Sequence, residues 1–206
     1  MTDSAVQQER LRMLLSRIVT IPDPAWEAAR PLFVSRPFGA AAHLVEAGVS
    51  TETLFFLTEG LVRFYYLDAQ GREYNKSFAG EGLVVTSVSS LVTGTPSPFF
   101  IQALLPVRSL AMGYRDYLGL AESFPAWRQL QLRLLEQLVI KKERREADFL
   151  RLPAAERYRQ FLREHAAIAD AIPNYHIASY LGITEVALSR IRRRLKLTGV
   201  NDPVVG

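Results

Sequence analysis

The sequence contains no cysteine. That excludes disulfides, zinc–thiolate sites and cysteine-held iron–sulfur clusters, and with them any sensing through thiols. Histidine is nearly as scarce, since His43, His165 and His176 are the full set. No apolar run approaches the ~20 residues needed for a helix that crosses a bilayer. At the N-terminus Asp3, Glu9, Arg12 and Arg17 interrupt the apolar positions, so a signal-peptide core is not expected. These absences predict a soluble, cytoplasmic protein with no membrane partner.

Charge of one sign is also in short supply, at a net +4 over 206 residues. Its placement is uneven. Residues 1–140 hold 12 Lys/Arg against 13 Asp/Glu, a net of −1, whereas residues 141–206 hold 13 against 8, a net of +5. A basic terminal third on a nearly neutral body suits a polyanionic partner, and nucleic acid is the commonest one. With 49% hydrophobic residues there is ample material for a core, in one large domain or two small ones.

Three regions follow one another. Gln7–Ile18 carries Leu11, Leu14, Leu15 and Ile18 at helical spacing, with Pro22 and Pro24 expected to close that helix. From Pro31 to Met112 the pattern becomes short apolar or alternating runs rich in Phe, Tyr and Val: 54–57, 61–67, 74–78, 83–85, 99–104 and 107–112. Asp68–Gly71 reads as the turn of a hairpin between two of them, and the whole reads as a β-roll or sandwich. A long helix is expected from Ala126 to Phe149. Its stripe of Trp127, Leu130, Leu134 and Leu138 predicts packing against a second copy of itself.

The segment from Asn174 to Lys196 is the most specific. Two helices that cross through a tight turn need a small residue at the crossing, supplied by Ala178, and a residue tolerant of unusual backbone angles, supplied by Gly182. Ile177, Leu181 and Ile183 anchor the first helix and the turn, and Leu188, Ile191 and Leu195 continue the buried stripe at spacings of three and four. Thr184 is placed to cap the second helix, and Glu185 suits its positive end. Five cations, Arg190, Arg192, Arg193, Arg194 and Lys196, then follow that single acid. In a helix-turn-helix the start of the second helix meets base edges, so Glu185, Val186, Ser189 and Arg190 are expected to read bases. Thr184, Arg192, Arg193, Arg194 and Lys196 are expected to meet phosphates.

A β-rich body, a long helix, and then Ile177-Ala-Ser-Tyr-Leu-Gly-Ile-Thr184 with Leu188-Ser-Arg-Ile-Arg-Arg-Arg-Leu195 resembles the Crp/Fnr family of transcription regulators, over about residues 30–196. The resemblance implies an α+β fold. Its parts are a cyclic-nucleotide-binding-like jelly roll (1–125), a dimerisation helix using Leu130, Leu134 and Leu138 (126–150), and a helix-turn-helix domain (151–206). It also implies a homodimer on double-stranded DNA, with RNA polymerase as a further partner and an effector that the residues do not identify. Leu197–Gly206 leaves too little chain for a full wing, so a shortened one is expected.

The resemblance further places a degenerate effector pocket at Gly80, Glu81, Ser97 and Phe99. Where cyclic-AMP-responsive members carry an arginine followed by Ser or Ala, this chain reads Ser97-Pro98-Phe99-Phe100. A buried cyclic phosphate would lack its bidentate cation, and Pro98 removes a backbone donor, so tight binding of cyclic nucleotides is not expected. A pocket using Arg72 or Lys76 instead is the nearest alternative, and a basic tail that binds protein rather than DNA is another. A cupin-like metal enzyme is a third, but His43 and Glu46 would face opposite sides of a strand. Neither metal, haem nor another cofactor is expected, and no enzyme activity.

Overall fold

The computed structural model describes residues 3–195. Lys196 and the expected short wing at 197–206 lie outside the described residues. By their contacts these residues form two units: 3–66 with 77–141, and 67–76 with 142–195.

The N-terminal unit opens with α1 (Asp3–Ser16) and α2 (Asp23–Ala29). Pro22 and Pro24 read as the close of the first helix, so the sequence pattern gave no sign of the second. Pro24 lies in its first turn, where the missing amide donor costs nothing, so proline here starts a helix instead of ending one. Eight strands follow, β1 (Val34–Phe38), β2 (His43–Val45), β3 (Thr53–Glu59), β4 (Val62–Leu67), β5 (Glu73–Ala79), β6 (Val84–Val85), β7 (Phe100–Ala103) and β8 (Val107–Gly113). They make two four-stranded sheets, ordered β1-β8-β3-β6 and β2-β7-β4-β5. The expected strand runs map onto β3 to β8. β1 escaped notice because Pro37 interrupts it, and proline is tolerated there because β1 is an edge strand.

Strand β3 reads as a nearly continuous apolar run because both of its faces are covered. Leu54 and Phe56 join one core with Leu110, Met112, Trp26 and Trp127. Phe55 and Leu57 turn the other way into the roll, beside Val62, Val85, Ile101 and Val107. The period of two therefore sends alternate residues to different cores. Two further helices, α3 (Val88–Thr93) and α4 (Tyr114–Ser123), were not expected. The α4 signal was present, since Tyr117, Leu120 and Ala121 are buried at spacings of three and one.

The long helix α5 runs Pro125–Arg151, 27 residues and about 40 Å at 1.5 Å per residue. Here one expectation fails. Leu130 is fully buried in the core formed with α1, α2 and the sheet, together with Trp127, so it is closed to a partner. Leu134 packs partly on the same core. The aliphatic side chains left exposed on α5 include Leu132, Leu135, Val139 and Ile140, with Leu138 at 37% exposure on the border. The side chains are right for a seam, but the stripe is rotated around the helix.

The C-terminal unit holds the last turns of α5, then α6 (Ala154–Glu164), α7 (Asn174–Leu181) and α8 (Glu185–Arg194). The tip of the β4–β5 hairpin, residues 67–76, belongs to it.

Candidate nucleic-acid interface

Helix α7 ends where Gly182 takes the left-handed conformation at φ +68°, a region that side chains with a Cβ avoid. The Ile183 amide donates to the Ala178 carbonyl at 3.0 Å and the Gly182 amide to Ser179 at 3.1 Å, a Schellman arrangement. Thr184 then sits extended at φ −78°, ψ 157°, and its Oγ1 accepts from the Ala187 amide at 3.2 Å, starting α8. Ile177, Ala178, Leu181 and Leu188 are buried, which holds the two helices together through a residue small enough to let them cross.

What remains on α8 faces outward. Glu185, Val186, Ser189, Arg190, Arg193 and Arg194 are exposed, Val186 at 61%. Glu185, Val186, Ser189, Arg190, Arg192 and Arg193 line one open groove together with Asn174 at the start of α7. The expected base-reading set therefore shares one surface. Arg192 differs from its neighbours: it is half-buried, and its guanidinium donates to Asn174 Oδ1, an intramolecular partner the sequence did not suggest. Thr184 is exposed, but its hydroxyl oxygen is already engaged in the cap.

The hairpin tip meets α7 within the same unit. Ser179 Oγ donates to the Glu73 carbonyl at 3.0 Å and accepts from the Asn75 amide at 2.9 Å, while Asn75 Nδ2 lies 3.1 Å from His176 Nδ1. Arg145 on α5 and Arg157 on α6 donate to the carbonyls of Tyr180 and Leu181, each at 3.0 Å. Burial pushes the Tyr180 phenol up, opposed by Arg145. None of these contacts had a local sequence signal, because the partners are 24 to 106 positions apart.

No protein-family model matches the sequence, and no curated protein does. Solved structures do match in fold. FixK2 from Bradyrhizobium japonicum superposes with a TM-score of 0.70 at 19% identity, covering 84% of this chain and 89% of that one. CLP, the c-di-GMP responsive global regulator of Xanthomonas campestris, gives 0.68 at 14% identity over 85% and 92%. A CooA variant from Carboxydothermus hydrogenoformans gives 0.68 at 19% identity over 85% and 81%. The chain shares the fold of these structures.

Within this fold the expected effector residues do not gather around the cavity of the N-terminal unit. Glu81 pairs with Arg10 at 2.6 Å on the exposed side. Ser97 is buried in a local turn, its Oγ donating to the Phe99 carbonyl at 2.8 Å, and Phe99 packs inside the roll. Neither these three nor Gly80 lines the cavity of about 300 Å³ in the N-terminal unit. That cavity lies between β6, α3 and the first half of α5, walled by residues such as Val84, Val88, Leu91, Leu134 and Leu138. Its lining contains one cation, Lys141, whose Nζ donates to Ser77 Oγ at 3.1 Å, and no carboxylate.

The alternative cations lie elsewhere too. Arg72 is bound to Asp68 at 2.8 Å in the hairpin turn, and Lys76 is absent from the cavity wall. His43 Nε2 lies 2.9 Å from the Tyr65 hydroxyl. Among the described residues no group of three or more His, Asp or Glu could hold a metal ion. Nor, among them, is any helix long and apolar enough to cross a membrane.

Proposed function

We propose that this chain is a cytoplasmic, DNA-binding transcription regulator, not an enzyme, acting as a homodimer and without response to cyclic AMP. The observation that carries the reading is the exposed face of α8. Its side chains are held outward by a glycine turn, a threonine cap and the buried Leu188 beneath them. That is the geometry by which a recognition helix enters a major groove. Arg190 offers the fork that reads guanine, Glu185 an acceptor for cytosine and Val186 a surface for a thymine methyl. Arg193 and Arg194 are free to meet phosphates, while Arg192 first has to leave Asn174.

The dimer reading moves from the Leu130 stripe to Leu132, Leu135 and Val139, whose spacings of three and four suit a coiled-coil seam. It places half-sites about 34 Å apart, one turn of DNA. The cavity supports silence toward cyclic nucleotides, since its wall offers no guanidinium for a phosphate. RNA polymerase as a partner, and the nature of any effector, rest on the family likeness alone.

The test is equilibrium binding to fragments selected from a random-sequence DNA pool. Arg190→Ala should lose about 1 to 3 kcal/mol on the selected site and relax one base position. Arg193→Ala should weaken all sequences alike and flatten the salt dependence. If both leave specific binding unchanged, α8 is not the recognition helix.

A further inference from the structure

An α-helix leaves its last four carbonyls without internal partners. In α7 the Schellman turn satisfies those of Ala178 and Ser179, which leaves Tyr180 and Leu181. Each receives one arginine: Arg145 Nη2 donates to Tyr180 and Arg157 Nη2 to Leu181, both at 3.0 Å. Arg157 also reaches the end of α5, with Nη1 3.4 Å from the Leu152 carbonyl and 3.5 Å from that of Phe149.

The Phe149 ring meets both guanidiniums, 4.7 Å from Arg145 and 4.5 Å from Arg157, and Arg145 also covers Tyr180 at 3.9 Å. The same ring sits against the turn itself, so close that a Cβ added at Gly182 would meet Phe149 Cε1 at 3.1 Å. Two cations from the basic third of the chain are therefore committed inward, to the carbonyl end of α7, where positive charge is favoured.

The geometry points to Arg145, Phe149 and Arg157 as positioning residues that fix the angle at which α8 leaves the turn. They thereby govern sequence-specific DNA binding without meeting DNA. This rests on the proposed function and adds to it, because specificity needs the reading side chains held before contact, whereas non-specific attraction to phosphates does not. Lysine is no substitute at either position: its ammonium cannot lie flat on a ring as both guanidiniums do, nor can it reach from the Leu181 carbonyl to those of Leu152 and Phe149 as the two terminal nitrogens of Arg157 do.

The experiment uses the full-length chain and the DNA fragment it retains from a random-sequence pool. Arg145→Lys with Arg157→Lys should weaken that complex by about tenfold or more, while affinity for unrelated DNA and the slope of log K against log salt stay unchanged. The charge-removing pair Arg145→Gln with Arg157→Gln reads the opposite case: a slope reduced by about one per substitution would mean that these arginines contact phosphates, and overturns the inference, as does unchanged specific affinity in the lysine variant. Amide hydrogen exchange at residues 183–188 of the DNA-free protein reads the clamp independently: Arg157→Lys should speed it about tenfold, and equal rates overturn the clamp. If the wild type retains no fragment, the proposed function fails while the exchange result still decides the clamp. Should the double variant lose its far-ultraviolet circular dichroism, Phe149→Leu, which keeps both arginines, is measured in its place with the same outcomes.

Discussion

Single side chains in the C-terminal unit carry opposing electrostatic demands. Burial holds the Lys76 ammonium down at about 8 from its ordinary 10.5, with Lys142 and Arg145 adding repulsion. A lysine depressed in this way binds fewer protons folded than unfolded between pH 8 and 10.5, so folding stability rises with pH across that window. The charged form is least welcome below pH 8, where the full cost is present. Lys76→Gln should remove this part of the dependence. Urea midpoints for wild type and variant, taken at pH 7.5 and 10, should differ more at the lower pH, with the variant more stable there. Equal differences at both values would mean that Lys76 is solvated. Asp68, by contrast, is partly exposed and held at about 2, chiefly by the Arg72 amide. Its contribution to the hairpin turn is present above pH 4 and is lost only as the pH falls toward 2.

At the scale of elements, legibility followed the range of the interactions. Helix α8 was readable because every device that shapes it is local: the Gly182 turn, the Thr184 cap and the Leu188 stripe lie within a few residues of one another. Strand β3 was readable as apolar but not as two-faced, since the layer of helices over the sheet is set by distant residues such as Trp26 and Trp127. The α5 stripe misled for the same reason. Periodicity finds an apolar face, yet it cannot say whether that face meets the chain's own core or a second chain, and Leu130 belongs to the first kind.

The effector residues were placed by likeness, and the cavity that forms instead is built by β6, α3 and α5. Its wall is mostly aliphatic, and its one cation already donates to Ser77 and to the Phe78 carbonyl. Burying a cyclic phosphate there would leave a charge without its fork of donors, a cost of several kcal/mol. Titration calorimetry with cyclic AMP should therefore give no heat of specific binding. A dissociation constant of ~10 μM, about −7 kcal/mol, would show that the cavity recruits a cation from elsewhere.

For the whole molecule, the question is what covers α5. Leu132, Leu135, Val139 and Ile140 are 56%, 40%, 52% and 54% exposed, a run of aliphatic surface on the middle turns of α5. Burying one such side chain completely contributes about 1.5 to 3 kcal/mol, so this half-exposed set, doubled by symmetry, gives a dimer seam on α5 an apolar driving force. Introducing a carboxylate on the seam reverses the sign, because the dimer would then bury two like charges near its axis. Leu135→Glu with Val139→Glu should therefore give a monomer by light scattering, with the circular dichroism of α5 largely kept. Its binding to a two-half-site fragment should fall to that of one half-site, since each recognition helix then binds alone. A variant that stays dimeric would place the symmetry axis elsewhere. A wild type monomeric at the same concentration would remove the paired half-sites altogether, leaving α8 to bind DNA as a single module.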